Sequence, residues 1–441
     1  MLSFFKTWQG RPLIRGTVIL AVTQLIASIA GLVRDRVLTS TFPGLSVVDV
    51  YLAAFRPSDL LFQAAVMSAM GTVLVPILAG YHAKNDRKGM DHVLSGAMVV
   101  GGLVFGAIAL LMALGLPWLQ PILAGGFDPA EAQLYVRFGS LALLSNFLFV
   151  FGTALGQYLI TEERYLAYGI TPILYTLGTI TGAVLLTPFL GAYGPMAGTL
   201  LGAVVYVLVR LWATLRIGAR FSFVLWHPEL KDMGRLMLPR ILSLSAFQAQ
   251  LLVLDALATY LPAGSITISN YARNFQSVLV GVVGIAVAQT VYAPLSKTAA
   301  MGNSEAFGRL YRLGWVSILA LTIPGALVLW LAAPVAAWLV HLTNVLPLFA
   351  MTLGVFALSV PLESLTHLQY RAFYAYKHTL WPSVAGIAGG IGAITVAWLL
   401  IDRFGVMALA TGYAVGELLQ VAVLAALLPL VRTPRNLAKD A

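Results

Sequence analysis

Long apolar runs separated by short polar connections dominate the pattern of hydrophobic and polar positions along this chain. The run HVLSGAMVVGGLVFGAIALLMALG is typical, and it is far longer than the roughly 10 alternating residues of a membrane-barrel strand. A helix of about 20 apolar residues crosses a bilayer. The pattern therefore predicts an all-α polytopic membrane protein with about twelve spans, near residues 14–40, 47–81, 92–115, 132–160, 165–188, 191–215, 236–261, 265–296, 309–339, 345–372, 379–401 and 405–431.

The spans fall into two similar halves. Pro43 and Pro262 begin segments with similar punctuation, at an offset of 262 − 43 = 219 residues. This repeat predicts an N-terminal six-helix bundle over residues 1–218 and a C-terminal six-helix bundle over residues 219–441. Because six is even, the two repeats would have the same orientation. Transporters built from parallel repeats bind their substrate in a central cavity between the halves and alternate between inward-open and outward-open states.

Composition and charge agree with a membrane protein. The chain has 441 residues, of which 59% are hydrophobic and 10% charged, and its mean hydropathy is +0.88; a soluble enzyme is excluded by these values. The net charge of +10 comes from Lys and Arg scattered through alternate short connections, so we expect the bilayer rather than nucleic acid to be its partner. By the positive-inside rule, both termini lie in the cytoplasm.

Several chemical functions have no motif in the sequence. The chain has no cysteine, no G-x-x-x-x-G-K-[ST] phosphate loop and no H-E-x-x-H zinc motif. We therefore expect neither ATP-driven pumping within this chain nor a metal site nor catalysis. A glycosyltransferase or ligase would usually need a larger loop outside the membrane than any connection here provides.

Charged residues inside the predicted spans are the candidate site residues. One Arg or Asp at the centre of a spanning helix costs roughly 2.5–3.5 kcal/mol, so such residues tend to face a wet cavity. Arginine stays protonated and can grip phosphate oxygens with its planar fork, which favours an anionic substrate. The alternative is that neighbouring charges merely form ion pairs. The candidates are Arg34, Arg56 and Arg273 for the anion, with Asp35, Asp49 and Asp59 as their charge partners.

Other polar positions in the second half allow several interpretations. Asp255 lies seven residues after Gln248 and so on about the same helix face, where the two could bind a coupling cation; chance placement explains the pair as well. Glu363 and Glu417 are acidic residues without an evident nearby partner. Each is a proton site, a cation site or a neutral carboxyl, and the sequence does not rank these. For Arg240, snorkelling to the membrane surface explains the charge as well as function does.

The segment SIAGLVRDRVLTSTFPGLSVVDVYLAAFRPSDLL, followed by MGTVLVPILAGY, resembles the opening of the MurJ/MviN family of lipid II flippases, within the multidrug/oligosaccharidyl-lipid/polysaccharide (MOP) exporter superfamily. The segment LPAGSITISNYARNFQSVLVGVVGIAVAQTVYAPLSK resembles helices seven and eight of that family. The resemblance covers most of the chain and is most specific in the first eighty residues. This chain is divergent: it has Asn274 where the family more often has arginine, and the last two helices of many members have no counterpart here.

The resemblance implies a substrate and a mechanism. The substrate would be an undecaprenyl-pyrophosphate-linked saccharide, foremost the peptidoglycan precursor lipid II, flipped by alternating access across the bacterial cytoplasmic membrane. Its pyrophosphate would meet Arg34, Arg56 and Arg273, with Asp35 and Asp49 beside them. Coupling to Na⁺, H⁺ or the membrane potential stays open; a monomer is the expected form, although the sequence does not fix the oligomeric state. The alternatives are a flippase for another lipid-linked polysaccharide unit and a cation-coupled multidrug exporter.

Overall fold

The computed structural model describes the backbone of residues 12–431 and the side chains in that range, except at positions 12–15, 72, 232, 235, 236, 238–240 and 242–244. Arg240 and the terminal residues 1–11 and 432–441 therefore lie outside the described residues. Throughout the described range the regular structure is helical. The helices cluster into two compact units, which meet in sequence at Gln248 and Ala249. This division lies within one helix, and the predicted bundle boundary at residues 218/219 stays a prediction.

The first unit contains eight helical segments and most of a ninth. Two pairs of them are joined by wider π-helical turns, at Gln63–Met67 and Gly182–Leu186. The segments are α1 Pro12–Thr41, α2 Ser46–Phe62, α3 Met70–Ala83, α4 Arg87–Leu123, α5 Pro129–Thr161, α6 Tyr165–Thr181, α7 Thr187–Leu190, α8 Gly194–Arg216 and α9 Pro228–Ala258, the last continuing into the second unit.

The second unit contains the end of α9 and seven further helical segments. A π-helical turn at Val280–Ile285 again interrupts its second long helix. The segments are α10 Ser265–Leu279, α11 Ala286–Ala300, α12 Ser304–Leu331, α13 Ala333–Leu339, α14 Leu346–Ala375, α15 Leu380–Phe404 and α16 Val406–Val431.

Turn geometry supports the duplication that the proline offsets indicate. Leu45 and Gly264 precede α2 and α10, both with left-handed backbone (φ 64° and 95°), at an offset of 264 − 45 = 219 residues. Asp86 and Asn303 both cap the next long helix with a side-chain oxygen, each accepting a 2.9 Å bond from a backbone N–H. Their offset is 303 − 86 = 217 residues. Apolar helices do not need matching cap residues or matching left-handed turns, so these similarities are evidence for a structural repeat.

By length and composition, nine stretches of the described residues are able to cross a membrane. One of them, Tyr165–Arg216, joins two of the predicted runs through the π-helical turn and α7. The run containing α2, which carries Asp49, Arg56 and Asp59, is not among these nine stretches. The prediction of an all-helical, multi-pass membrane protein is confirmed.

Glycines bring α6 and α8 into backbone contact. Gly178 on α6 and Gly182 in the π-helical turn that follows it face Gly198 and Gly202 on α8, and a Cβ on Gly178 would lie 2.6 Å from the carbonyl oxygen of Gly198. Membrane helices commonly pack through such small residues at a spacing of four, because burial of apolar area gives little driving force inside lipid. This contact holds α8 beside the polar side chains described next.

Candidate functional site

Arg34 and Asp35 form an ion pair near the end of α1. The Arg34 Nε and Nη2 atoms donate to Asp35 Oδ1 at 3.0 and 2.6 Å. The Asp35 side chain is 4% exposed, whereas that of Arg34 is 27% exposed. The pair leaves the guanidinium accessible while its carboxylate stays buried. Arg34 is therefore both paired with Asp35 and accessible. Its ion pair is compatible with a role in binding an anionic substrate.

A chain of hydroxyl groups lies within electrostatic reach of this ion pair. The buried Tyr51 hydroxyl on α2 is 2.9 Å from Thr199 Oγ1 on α8. Thr199 Oγ1 is in turn 2.8 Å from Thr179 Oγ1 on α6. The charges of both Arg34 and Asp35 act on Tyr51. Hydroxyl groups of α2, α6 and α8 are thus linked to one another, and the Tyr51 hydroxyl lies within reach of the charges on α1.

Asp59 is held by a partner from another helix. Asn146 on α5 donates from Nδ2 to Asp59 Oδ1 at 3.2 Å and to Ser58 Oγ at 2.6 Å. Arg56, half-buried one turn earlier on α2, acts electrostatically on the Asp59 carboxylate. Asp59 consequently has both the predicted neighbour Arg56 and the neutral partner Asn146, which the sequence did not indicate.

These predicted residues approach one another around α6. The hydroxyl of Tyr175 lies within electrostatic reach of Arg34, Tyr51 and Asp59. Asp49 is also buried, at 4% exposure, in the first turn of α2. The surroundings of Tyr175 therefore include the Arg34 guanidinium, the Asp59 carboxyl group and the Tyr51 hydroxyl, and Arg56 acts on Asp59. Such a set can bind an anion with several oxygen acceptors, a phosphate group above all.

The predicted residues of the second unit are distributed differently. The buried Asp255 accepts a 3.1 Å hydrogen bond at Oδ1 from Asn270 Nδ2 on α10. Gln248, which is the last residue of the first unit and lies two turns before Asp255 on α9, has a buried Oε1 atom that finds no hydrogen-bond partner among the described residues. Half-buried Arg273 acts electrostatically on Tyr413 of α16. The structure therefore pairs Asp255 with Asn270, while the Asp255–Gln248 cation site stays a prediction.

Sequence reasoning missed the buried Arg210 on α8, which is 2% exposed. Its guanidinium donates to Gly152 O at 2.6 Å, to Thr171 Oγ1 at 2.8 Å and to Tyr168 O at 3.2 Å, and it lies 4.1 Å from the ring centre of Tyr206. These contacts tie α5, α6 and α8 together through carbonyl oxygens and rings. An arginine so fully engaged stabilises the helix bundle and is a poor candidate for substrate binding.

Glu363 and Glu417 also have partners that the sequence did not reveal. Glu363 on α14 accepts hydrogen bonds from Gln276 of α10 and Tyr413 of α16. Glu417 on α16 accepts one from Thr366 of α14. Glu363 and Thr366 lie three residues apart and so share one face of α14. This spacing is a signal in the sequence for a polar face on that helix. No group of three His, Cys, Asp or Glu side chains suited to a metal ion occurs within the part of the chain that the structure describes.

Comparisons with known proteins identify the family. The family model described as "Lipid II flippase MurJ" matches residues 39–431. The probable lipid II flippase MurJ of Vibrio cholerae is 26% identical over 95% of this chain and 83% of its own length. The corresponding protein of Bdellovibrio bacteriovorus is 23% identical over 95% of this chain and 82% of its own.

Solved structures agree at the level of the fold. A lipid II flippase MurJ in an inward closed conformation superposes with a TM-score of 0.77 at 18% identity, covering 93% of this chain and 87% of that one. An inward-facing multidrug resistance MATE family transporter of the MOP superfamily gives 0.73 at 16% identity, covering 97% and 99%. The predicted MOP-exporter fold is confirmed, as is the prediction of a transporter rather than an enzyme. Because the family model spans most of the sequence, the chain belongs to the MurJ family of lipid II flippases.

Proposed function

We propose that this chain flips lipid II from the cytoplasmic to the outer leaflet of the bacterial cytoplasmic membrane. The support is family membership over residues 39–431 together with the accessible, carboxylate-held guanidinium of Arg34. The saccharide head group and its pyrophosphate would cross by alternating access while the lipid tail stays in the bilayer. The distribution of Lys and Arg favours cytoplasmic termini.

Within this proposal the arginines bind the pyrophosphate. Arg34 is the foremost candidate because Asp35 fixes its orientation, and Arg56 is a second basic group of the same unit. A guanidinium fork gives two parallel hydrogen bonds to phosphate oxygens, which a lysine cannot reproduce. Arg273 in the second unit is proposed as a separately testable phosphate contact. Asp35, Asp49 and Asp59 then keep the arginines in place between substrate molecules.

Complementation in cells tests this proposal. In a bacterium depleted of its own lipid II flippase, expression of this chain should restore growth and return lipid II to the outer leaflet, where an externally added head-group hydrolase can cleave it. An Arg309→Ala variant should restore both equally, because Arg309 pairs with Glu305 at an exposed position. The chain would have another cargo if growth returned without lipid II in the outer leaflet. The same conclusion would follow if only the export of a different undecaprenyl-linked polysaccharide were restored.

A further inference from the structure

Three helices of the second unit converge on one polar cluster. Helices α10, α14 and α16 pack against one another. Polar side chains follow one face of each long helix at spacings of three and four residues, so they point toward the same interface. They are Gln276 on α10, Ser359, Glu363, Thr366 and Tyr370 on α14, and Tyr413, Glu417 and Gln420 on α16. We call this set the Glu363–Glu417 cluster.

Each carboxyl group of the cluster is held by two donors. Glu363 Oε2 accepts from Gln276 Nε2 at 2.7 Å and from the Tyr413 hydroxyl at 3.0 Å. Glu417 is 5% exposed; its Oε2 accepts from Thr366 Oγ1 at 3.0 Å and its Oε1 from Gln420 Nε2 at 3.3 Å. Both carboxyls therefore have fixed positions on facing helices.

The two carboxyl groups act on each other electrostatically. Two ionised carboxylates in a membrane interior repel strongly, and one proton on the pair removes that repulsion. The charged groups near the pair are Arg273, which acts on Tyr413, and His367 on α14, on which both Glu363 and Arg371 act electrostatically. Tyr370 and Tyr413 complete the titratable groups of the cluster.

A second observation concerns the side-chain amide of Gln276. Gln276 is fully buried, and its Oε1 atom has no hydrogen-bond partner among the described residues although its Nε2 atom binds Glu363 and Ser359. The Oε1 atom of Gln276 is therefore a buried acceptor that could take one further hydrogen bond within this cluster.

We infer that Glu363 and Glu417 form a proton-binding pair, which takes up one proton from water in one state of the transport cycle and releases it in another. The proton adds to a carboxylate oxygen and leaves from it, and no other bond forms or breaks. This inference rests on the proposed function only for its role in transport; proton binding by the pair is independent of the cargo. One proton moving down a gradient of one pH unit provides about 1.4 kcal/mol, a factor of about ten in an equilibrium.

Infrared difference spectroscopy on the purified, reconstituted chain tests the binding directly. A step in pH should produce the carbonyl band of a protonated carboxyl group in the wild type. Glu363→Gln and Glu417→Gln should each remove or shift this band, since each breaks the pair while keeping amide hydrogen bonding. Glu305→Gln should leave it unchanged, because Glu305 is 82% exposed in a surface ion pair. A band unaltered in both cluster variants would overturn the inference.

Transport in proteoliposomes tests the coupling. With lipid II as cargo, an imposed pH gradient should change the steady-state ratio of lipid II between the two leaflets about tenfold per pH unit at full coupling to one proton, and Glu417→Gln should lose this response. Dependence on Na⁺ instead of the pH gradient would overturn the assignment of a proton. If the wild type moves no lipid II yet shows the infrared band, the proposed function fails and the proton pair stands. If the wild type flips lipid II but shows neither the infrared band nor the pH response, the proton pair is overturned and the proposed function stands.

Discussion

Replacing Arg34 by alanine should reduce lipid II translocation at least about 30-fold. The substitution removes the guanidinium that we assign to the pyrophosphate, and a charge-assisted hydrogen-bonded contact of about 2 kcal/mol corresponds to that factor. Arg34→Lys should give an intermediate rate, because the charge remains but the planar fork is lost. Initial flip rates of fluorescently labelled lipid II in proteoliposomes measure all three proteins.

Folding must be separated from function in this comparison, because Arg34→Ala removes the ion pair that Arg34 makes with the buried Asp35 carboxylate. The double variant Arg34→Ala/Asp35→Asn removes that buried charge and should stay folded but inactive. Arg309→Ala is the matched arginine control, in an exposed pair with Glu305. If the folded double variant flips lipid II as fast as the wild type, Arg34 does not bind the pyrophosphate.

Replacing Gly198 by leucine should prevent the first unit from folding normally. A Cβ at this position would collide with backbone atoms of Gly178 on α6 and of Gly182 in the π-helical turn after it, which cannot move aside as a flexible side chain does. Overpacking of a well-packed interface costs about 1–3 kcal/mol and more where backbone is involved. We expect loss of the monodisperse protein in detergent and a marked fall in melting temperature, measured by size-exclusion chromatography and thermal unfolding.

Gly80→Leu is the matched control for this effect. A Cβ on Gly80 meets no atom within 4 Å, and the residue lies at an exposed position near the end of α3. Equal loss of folded protein in both variants would show that leucine itself, rather than the approach of α6 and α8, is responsible. A stable Gly198→Leu protein would contradict the close packing described for these helices.

The sequence predicts the helices well and indicates an internal repeat, because both depend on local patterns. Apolar runs of membrane length mark the spans, and the paired prolines Pro43 and Pro262 mark the repeat. The turn conformations of Leu45 and Gly264 then agree with that offset. The π-helical turns are different, since nothing in hydropathy distinguishes Val280–Ile285 from an ordinary helix.

The partners of the charged residues depend on contacts between distant segments, which one sequence does not encode visibly. The sequence places Arg56 and Asp59 one turn apart, but Asn146, 87 residues from Asp59, is the side chain that hydrogen-bonds it. Similarly, most donors to Glu363 and Glu417 come from other helices. Their role emerges only when α14 and α16 pack together and bring Thr366 and Tyr413 into reach.

One measurement tests the central claim most directly: the rate at which purified wild-type chain moves labelled lipid II across proteoliposome membranes, with labelled phosphatidylethanolamine as the comparison lipid. Our account predicts rapid movement of lipid II, none of the comparison lipid above the rate in empty vesicles, and competition by unlabelled undecaprenyl-pyrophosphate lipids. Movement of both lipids alike, or of neither, would contradict a flippase that recognises the pyrophosphate-linked head group.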